Sequence, residues 1–282
     1  MAELNSELIE DHVARALTED IGSGDVTTLA LVPKEHQITA RIVARESLVL
    51  SGVALAKAAF SQLSPEIRII REAVDGEELV EGDEILEFTG PGRALLTAER
   101  TALNYLQRLS GIATQASKYV QAVQGTGVLI LDTRKTTPGW RALEKYAIQC
   151  GGARNHRRGL DDMILIKDNH LAALPNGPSI AAAIARAREA SPELKIEVEA
   201  DTLAQAVEAA ESGADIVMLD NMSPADLKEA VEKIGGISQT EASGGISLDT
   251  IRAVAETGVD YISVGALTHS AQAVDIAMDM DS

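Results

Sequence analysis

The sequence predicts an α/β protein: a C-terminal (β/α) barrel of the incomplete TIM type, with an N-terminal α+β domain that is sandwich-like. Three observations indicate this architecture. From about residue 127, short apolar runs alternate with segments whose apolar residues recur at helical spacing. The last three strand-to-strand steps take about 20–22 residues each, a near-regular spacing that favours a barrel. The first 110 residues instead show alternating strands broken by Gly and Asp turns.

The N-terminal segment contains two groups of alternating strands and one long helix. The strands lie in HQITARIVARESLVLSG and IRIIREAVDGEELVEGDEILEFTG, with a turn at Asp75-Gly76. The helix that follows has an apolar stripe of Leu95, Leu96, Leu103, Leu106, Leu109, Ile112, Ala116, Val120 and Val123. We therefore expect an N-terminal domain over residues 1–110, with this helix bridging to the barrel as far as about residue 125.

The predicted barrel strands are six apolar runs separated by five helical segments. The runs are VLILDT (128–133), MILIKD (163–168), KIEVEA (195–200), DIVMLD (215–220), ISQTEAS (237–243) and DYISVG (260–265). One helix has a clear N-terminal signature at Ser223, which Pro224 follows directly. We expect the barrel over residues 111–270, and a C-terminal helix over residues 271–282 that returns to the N-terminal domain.

Composition and charge restrict the function. The 282 residues include 25 Lys/Arg and 43 Asp/Glu, for a formal net charge of −18. This negative charge argues against nucleic-acid and membrane binding, since both partners attract basic surfaces. The single cysteine, Cys150, excludes an internal disulfide and a cysteine-based zinc cluster. Because the sequence has no apolar signal segment and no apolar run of ~20 residues, we expect a cytoplasmic protein.

Positive charge is concentrated in one part of this acidic chain. Residues 134–170 contain eight Lys/Arg and four Asp/Glu, a balance of +4. Any one of these cations alone would be read as a solvated surface residue. Together, beside predicted strand ends, they indicate a focused site for a small anion.

In a (β/α) barrel, the residues at the C-terminal ends of the strands surround one opening of the barrel, where the active site lies. That rule selects Asp132, Thr133, Arg134, Lys135, Lys167, Glu199, Asp220, Ser243 and Gly265. Arg offers two parallel donors to a carboxylate and Lys a point charge, so this opening suits a substrate with carboxylates and phosphates. Glu199 and Asp220 end adjacent strands and can hold Mg²⁺, although they could also cap loops or pair with Lys167. The runs EASGGIS and SVGALTHS can hold a phosphate through backbone N–H groups, although glycine pairs also form plain turns.

Other residues have competing interpretations. His156, in the run NHRR, is better placed for catalysis than His170, but a lone histidine is more often structural. Cys150 is expected to be a buried helix residue. Trp140 follows TTPG and could cover a substrate, but packing at a helix start is the commoner role.

Long motifs make the sequence resemble the quinolinate phosphoribosyltransferases. The matching runs are ALTEDIGSGDVTT, AERTALNYLQRLSGIAT, LDTRKTTPGWRALEKYAIQCGGARNHRRGLDDMILIKDNH, IEVEADTLAQAVEAAESGADIVMLDN and EASGGIS, which cover almost the whole chain. The order of LDTRKTTPG, NHR and LIKDNH is highly specific. Two departures are Trp140, where an aliphatic residue is usual, and a less closely matching N-terminal domain. The resemblance implies a type II phosphoribosyltransferase of NAD biosynthesis, which joins quinolinate to 5-phosphoribosyl 1-pyrophosphate with Mg²⁺ and yields nicotinate mononucleotide, pyrophosphate and CO₂.

The resemblance also implies roles for individual residues. The quinolinate pocket would contain Arg100, Thr133, Arg134, His156, Arg157 and Lys167, with Lys135 there or against the phosphates. The catalytic residues would be Lys135, Lys167, Glu199 and Asp220, of which Glu199 and Asp220 lie near the metal and the ribose. The loops on the 5′-phosphate side would contain Ser243, Gly244, Gly245, Ser263, Gly265 and His269. Because Arg100 would reach the neighbouring subunit's site, the resemblance implies a homodimer with shared active sites, or a higher oligomer.

Two other functions stay open on the residues alone. Lys167 ends a strand, where a lysine suits the Schiff-base chemistry of a barrel aldolase. Alternatively, the barrel is noncatalytic and only binds an anion. Borohydride trapping of a carbonyl substrate on Lys167 would favour the aldolase. A protein that binds a pyridine dicarboxylate but releases no CO₂ would be the noncatalytic barrel.

Overall fold

The computed structural model describes residues 4–175, 177 and 179–280. Helices and strands in the first part of the chain are α1 (Ser6–Ile21), α2 (Val26–Leu31), β1 (Gln37–Ala44), β2 (Leu48–Val49), α3 (Val53–Leu63), β3 (Arg68–Glu72), β4 (Glu78–Leu79), β5 (Glu84–Pro91) and α4 (Gly92–Ala122). Strands and helices then alternate as β6 (Leu129–Leu131), α5 (Arg141–Cys150), β7 (Ile164–Ile166), α6 (Asp168–Ala172), α7 (Ile180–Ala190), β8 (Ile196–Ala200), α8 (Leu203–Glu211), β9 (Ile216–Asp220), α9 (Pro224–Ile234), β10 (Gln239–Ser243), α10 (Ile251–Ala255), β11 (Tyr261–Ser263), α11 (Ala266–His269) and β12 (Ile276–Met280).

Contacts divide the chain into two compact units. The first contains the chain up to Ser117, then Thr137–Gly152, and the chain from Ser270 onward; the second contains Lys118–Thr136 and Ala153–His269. The division falls inside α4, which the sequence predicts as the bridging helix. The predicted limits of 1–110 and 111–270 treat each domain as one continuous segment, whereas these contacts join segments that are distant in sequence.

The first unit is an α+β arrangement around an antiparallel sheet of order β12-β1-β5-β3. Ile42 on β1 is opposite Leu86 on β5, and both side chains are fully buried. Phe60 on α3 and Phe88 on β5 place their ring centroids 4.4 Å apart, and both are buried. One face of the sheet is therefore covered by α3, a helix that the sequence analysis does not predict, although the α+β class of this part of the chain is as predicted.

The prediction of a C-terminal helix is wrong. Ile276–Met280 forms β12, which pairs antiparallel with β1 over five residues from Ala40 to Ala44. The pairing supplies hydrogen-bond partners to an edge of β1 that β5 leaves open. A Cβ built on Gly111 in α4 would collide with the backbone of Gln272, so the chain leading into β12 passes directly against α4.

The second unit contains six parallel strands in the order β6-β11-β10-β9-β8-β7. Each strand lies inside one of the six predicted runs, so the prediction of an incomplete (β/α) barrel is confirmed. A bridge between Leu131 and Arg154 adds one further parallel pairing beside β6. The predicted helix start is also correct, because Ser223 caps α9 by accepting from the N–H of Asp226 at 3.2 Å.

The strands of this unit are buried on both sides, which is the pattern of parallel sheets covered by helices. Val198 on β8, Val217 on β9 and Ile262 on β11 have no exposed surface. Among the described helices of the chain, none is long and apolar enough to cross a membrane.

Candidate active site

A cavity of about 290 Å³ opens in the second unit at the C-terminal ends of the parallel strands. Its lining consists of Thr133, Arg134, Lys135, His156, Arg157, Leu165, Lys167, Met218, Glu241, Ser243 and Ser263. All of these except Leu165, Met218 and Glu241 are site residues predicted from the sequence. A concave site of this size, with convergent charged groups, suits a small anionic molecule.

Two arginines and a lysine approach the cavity from the segments that follow β6. Thr133 Oγ1 accepts the backbone N–H of Lys135 at 3.1 Å, which tightens the turn carrying Arg134. Arg157 Nη1 donates to the carbonyl oxygen of Met163 at 3.1 Å, which fixes its guanidinium. Burial and the nearby charge of Arg134 lower the pKa of Arg157. Two cations held close together in a half-buried cavity favour an anion that neutralises both.

Lys167 and Glu199 form an ion pair across neighbouring strands. The Nζ of Lys167, just after β7, contacts Oε2 of Glu199 on β8. This contact is the pairing that the sequence analysis gives as the alternative to a metal role for Glu199. His170, on α6, accepts the backbone N–H of Lys167 through Nδ1 at 2.9 Å. His170 therefore acts in the local structure of the helix start.

Asp220 ends β9, and its neighbour Asn221 holds its carboxylate. Asn221 Nδ2 donates to Oδ2 of Asp220 at 2.6 Å, and the backbone N–H of Asn221 donates to the carbonyl oxygen of Ser243 at 2.9 Å. Gly244 and Gly245 follow β10 with φ of +92° and +61°, a region that favours glycine. These contacts join the ends of β9 and β10 on the side of the cavity where Ser243 lies.

The segment after β11, which contains Gly265 and His269, lies against Lys135. A Cβ added to Gly265 would lie 3.0 Å from Cδ of Lys135 and 3.2 Å from Nε2 of His269. Thr268 Oγ1 donates to the carbonyl oxygen of Lys135 at 2.8 Å. Gly265, His269 and Lys135 are therefore neighbours, and the absence of a side chain at Gly265 leaves room for the lysine stem.

Two buried carboxylates and an imidazole form a group at the cavity wall, and neither acid was predicted from the sequence. Glu197 and Glu241 have no exposed surface, and His156 Nε2 lies 2.9 Å from Oε2 of Glu197 and 3.5 Å from Oε2 of Glu241. Burial lowers the pKa of His156, but the two carboxylates outweigh it and raise this pKa to about 10. Burial, together with the charge of Glu241, raises the pKa of Glu197.

The ring orientation of His156 indicates where the proton of this group lies. The backbone N–H of Arg157 donates to Nδ1 of His156 at 2.8 Å, so Nδ1 keeps its lone pair. The proton is then held between Nε2 and the carboxylates. The ligand atoms of the three residues lie within 4.8 Å of one another, so a metal ion bound there would have to displace the Nε2 proton.

The alternation of side chains along a strand could have predicted these two acids from the sequence. Glu197 precedes Glu199 by two residues, and Glu241 precedes Ser243 by two. Because side chains two apart on a strand point to the same face, each acid shares the inward face of a residue already selected at the strand end.

Three remaining residues lie in the first unit. Arg100 is exposed on α4 and is not among the residues that line the cavity. Trp140 stacks on Tyr105 with ring centroids 5.1 Å apart, directly before α5, which agrees with packing at a helix start. Cys150 ends α5 and is buried, as predicted.

Comparison with known proteins gives matches over nearly the whole chain. A family model for the quinolinate phosphoribosyl transferase C-terminal domain matches residues 112–279, and one for the N-terminal domain matches residues 25–110. The probable nicotinate-nucleotide pyrophosphorylase (carboxylating) of Bacillus subtilis (strain 168) is 45% identical over 263 residues, which cover 93% of this chain and 90% of that protein.

Two further relatives agree with this match. The nicotinate-nucleotide pyrophosphorylase (carboxylating) of Mycobacterium leprae (strain TN) is 43% identical, with 96% of each chain covered. The crystal structure of NadC from Streptococcus pyogenes has a TM-score of 0.95 and 41% identity, with 100% of this chain and 99% of that chain covered. The similarity therefore extends over both units and not over the barrel alone.

Proposed function

The chain belongs to the quinolinate phosphoribosyltransferase family, and we propose that it transfers a phosphoribosyl group from 5-phosphoribosyl 1-pyrophosphate to quinolinate with loss of CO₂. The products are nicotinate mononucleotide and pyrophosphate, and the reaction supplies NAD biosynthesis. The observation that carries this proposal is the cavity itself, where Arg134, Lys135, Arg157 and Lys167 converge at the ends of the parallel strands.

Quinolinate binding is assigned to the cations of the cavity. The substrate carries two carboxylates on adjacent ring carbons, and Arg134 and Arg157 offer bidentate donors to such groups. Lys167 adds a point charge, and Thr133 adds a hydroxyl. The 2-carboxylate must be held without being protonated, because it later leaves as CO₂. Arg suits that task, since its guanidinium stays charged at all working pH values.

The reaction forms two bonds to carbon and breaks two. The ring nitrogen of quinolinate donates its electron pair to the anomeric carbon of the ribose as the bond to pyrophosphate breaks, and the bond's electron pair leaves with pyrophosphate. The positively charged ring then accepts the electrons of the bond between C2 and its carboxylate as CO₂ departs. A proton from water completes C2. Carboxylates such as Glu199 and Asp220 would stabilise an oxocarbenium-like ribose during the first step.

Mg²⁺ is part of the proposal, and Glu199 and Asp220 would hold it. They are hard oxygen donors at the ends of neighbouring strands β8 and β9, and Mg²⁺ prefers one or two carboxylates together with water and phosphate oxygens. When bound, the ion neutralises charge on the leaving pyrophosphate. The Lys167–Glu199 ion pair places a cation at the same edge.

The phosphate groups are assigned to the two small-residue loops. Gly244 and Gly245 adopt positive φ after β10, a backbone form in which successive N–H groups can face an anion. Lys135 lies against Gly265 and His269 of the second loop. This arrangement supports binding of the 5′-phosphate by Ser243, Gly244, Gly245, Ser263, Gly265 and His269.

A homodimer with shared sites is also proposed. Arg100 is exposed on α4 and is not among the residues that line the cavity of its own chain, and the resemblance implies that it reaches the partner's site. A higher oligomer built from such dimers is compatible with this proposal. The cytoplasmic location stays a prediction from composition.

The aldolase alternative is less compatible with the contacts of Lys167. A Schiff base requires an amine that is free to attack a carbonyl carbon, but the Nζ of Lys167 is in contact with the carboxylate of Glu199.

The direct test is to incubate the purified chain with quinolinate, 5-phosphoribosyl 1-pyrophosphate and Mg²⁺. We expect nicotinate mononucleotide, pyrophosphate and CO₂ in equal amounts. Quinolinate that is bound but unchanged would identify a noncatalytic barrel. Borohydride trapping on Lys167 without pyrophosphate release would favour the aldolase.

A further inference from the structure

The charges of the second unit are separated around its sheet. Arg134 and Lys135 follow β6, Arg157 follows the segment that bridges β6, and Lys167 follows β7. In the strand order β6-β11-β10-β9-β8-β7, these cations belong to the two end strands. The middle strands carry the acids: Glu197 and Glu199 lie on β8, Asp220 on β9 and Glu241 on β10. The site therefore has a cationic side and an acidic side.

Among the acids of the acidic side, Glu241 is the one that lines the cavity, and it lies two residues before the strand end at Ser243. It lies on β10, opposite Met218 of β9, and both residues line the cavity. Its side chain has no exposed surface, and its charged contact among the described residues is His156 Nε2 at 3.5 Å. Its carboxylate oxygens make no well-aligned hydrogen bond among the described residues, so the protonated His156 compensates the buried charge only in part.

Such a residue is costly for the fold. A buried carboxylate that lacks full compensation by hydrogen bonds or a cation destabilises the folded chain, and unsatisfied buried groups of this kind concentrate at functional sites. Leu or Met would fill the same space without that cost. The position of Glu241 in the lining suggests that its charge acts on the molecule in the cavity.

Quinolinate has two edges of different character. Its two carboxylates share one edge, at C2 and C3, while C4, C5 and C6 carry only hydrogens with partial positive charge. The cationic side of the cavity attracts the first edge, which leaves the second to face the acidic side. A ring with a carboxylate at C5 would bring a negative charge toward Glu241.

We propose that Glu241 is a specificity-determining residue, which accepts the carboxylate-free edge of the pyridine ring and rejects isomers that carry a carboxylate on that edge. Glu197 adds a second negative charge on the same side of the site. Its Oε2 lies closer to Nε2 of His156 than Oε2 of Glu241 does. This inference rests on the proposed function and adds to it the means of discriminating between pyridine dicarboxylates. Repulsion of a wrong ligand, and not only attraction of the right one, is a general source of specificity.

The groups around Glu241 are consistent with this role. His156 faces it through Nε2, and Glu197 is a second acid in contact with that nitrogen. Arg157 faces Glu197 electrostatically, and Arg134 in turn lies close to Arg157. The cationic and acidic sides therefore meet at Glu197, whereas the charged contact of Glu241 among the described residues is His156.

The test compares two isomers that differ only in where one carboxylate sits. Dissociation constants of quinolinate and of pyridine-2,5-dicarboxylate are measured by calorimetry, and by competition where binding is weak, on the full-length chain and its variants. Because the isomers have the same charge and atoms, general changes of affinity cancel in their ratio. The variants are Glu241→Gln, which removes the charge at constant size, Glu241→Asp, which keeps the charge, and Met218→Leu, an uncharged change in the same lining.

For Glu241→Gln we expect the preference for quinolinate over pyridine-2,5-dicarboxylate to fall at least about 10-fold, which corresponds to about 1.4 kcal/mol. Glu241→Asp should keep most of the preference, and Met218→Leu should change the affinity for both isomers alike. Glu241→Gln should also melt at the same or a higher temperature than the wild type, whereas a residue kept only for stability would lower the melting temperature.

An unchanged isomer ratio in folded Glu241→Gln would overturn the inference. If that variant does not fold, Glu197→Gln decides, with a smaller shift expected in the same direction and an unchanged ratio counting against the proposal. The proposed function fails separately, through a wild type that forms no nicotinate mononucleotide. A wild type that binds both isomers equally would contradict the inference even if turnover were normal.

Discussion

The side chain of Asn221 occupies the space that a β-carbon on Gly244 would need. A Cβ built on Gly244 would collide with Oδ1 of Asn221 and would lie 2.9 Å from its backbone nitrogen. Among the described residues, Asn221 is the one non-glycine residue with positive φ, at +55°. It also donates to Asp220 at 2.6 Å. One asparagine in the left-handed region therefore connects a proposed metal ligand to a proposed phosphate loop.

Replacing Asn221 separates its backbone role from its side-chain role. Asn221→Gly and Asn221→Ala both lose the contact with Asp220, but only alanine is strained at positive φ, by about 1–2 kcal/mol. We expect Asn221→Ala to lower the free energy of unfolding by about 1 kcal/mol more than Asn221→Gly in urea titrations. Both should reduce turnover about 10-fold or more, as removal of a partner that orients a ligand does. Equal stability of the two variants would contradict the strain.

If Glu199 and Asp220 hold Mg²⁺, replacing them should change kcat and the Mg²⁺ requirement more than the affinity for quinolinate. Glu199→Gln and Asp220→Asn should lower kcat about 100-fold and raise the Mg²⁺ concentration needed for half-maximal rate, since a carboxylate ligand is lost in each. The dissociation constant of quinolinate should stay within about threefold, which is within the usual scatter of indirect effects. Glu208→Gln, an exposed acid on α8, serves as the control. An equal loss of quinolinate affinity would place Glu199 and Asp220 in the pyridine pocket instead.

Shared active sites predict rescue between two inactive proteins. Arg100→Ala and Lys167→Ala should each be folded and inactive, because one removes the partner's clamp and the other a residue of the cavity. After subunit exchange, hybrid dimers contain one intact site, so random pairing restores about a quarter of wild-type activity.

The matched control for this exchange is a mixture of Arg134→Ala with Lys167→Ala. Both residues line the cavity of one chain, so no hybrid has an intact site and no rescue is expected. Failure of the Arg100 mixture to regain activity, with exchange verified by mass spectrometry, would mean that each chain forms its site alone.

Cys150 offers a test of the first unit's packing. Burial raises the pKa of this thiol to about 11, so at pH 8 it is protonated and shielded. The reactive thiolate becomes populated in the folded chain only as the pH approaches that value, whereas an unfolded thiol ionises near about 8.5. Iodoacetamide at pH 8 should leave the native chain unmodified and label it fully in urea, as read by intact mass. Rapid labelling of the native chain would contradict this burial.

Much of the barrel was predictable because parallel strands covered by helices are nearly continuous apolar runs. Each of the six runs contains a strand, and the rule that strand ends face one mouth selected Arg134, Lys135 and Lys167 in the cavity. β12 was not predictable in this way, since its pairing with β1 depends on an edge more than 200 residues earlier in the chain.

The inner acids of the site were missed for a different reason. Glu197 and Glu241 look like ordinary polar residues of half-exposed strands, and their burial depends on the closure of the sheet around them. The left-handed backbone of Asn221 also has no signal in composition or period, because it accompanies contacts with residues of the neighbouring strand end, such as the hydrogen bond to Ser243.

The central claim is that basic side chains from separate segments bind a doubly negative pyridine acid in the barrel cavity, and calorimetric titration with quinolinate tests it most directly. We expect one quinolinate per chain, and Arg157→Gln should weaken binding about 10- to 100-fold, since a charged bidentate contact contributes about 1.5–3 kcal/mol. Arg158→Gln, a change in the adjacent arginine, which is absent from the cavity lining, should bind nearly as the wild type does. Equal affinity of Arg157→Gln and the wild type would contradict the account.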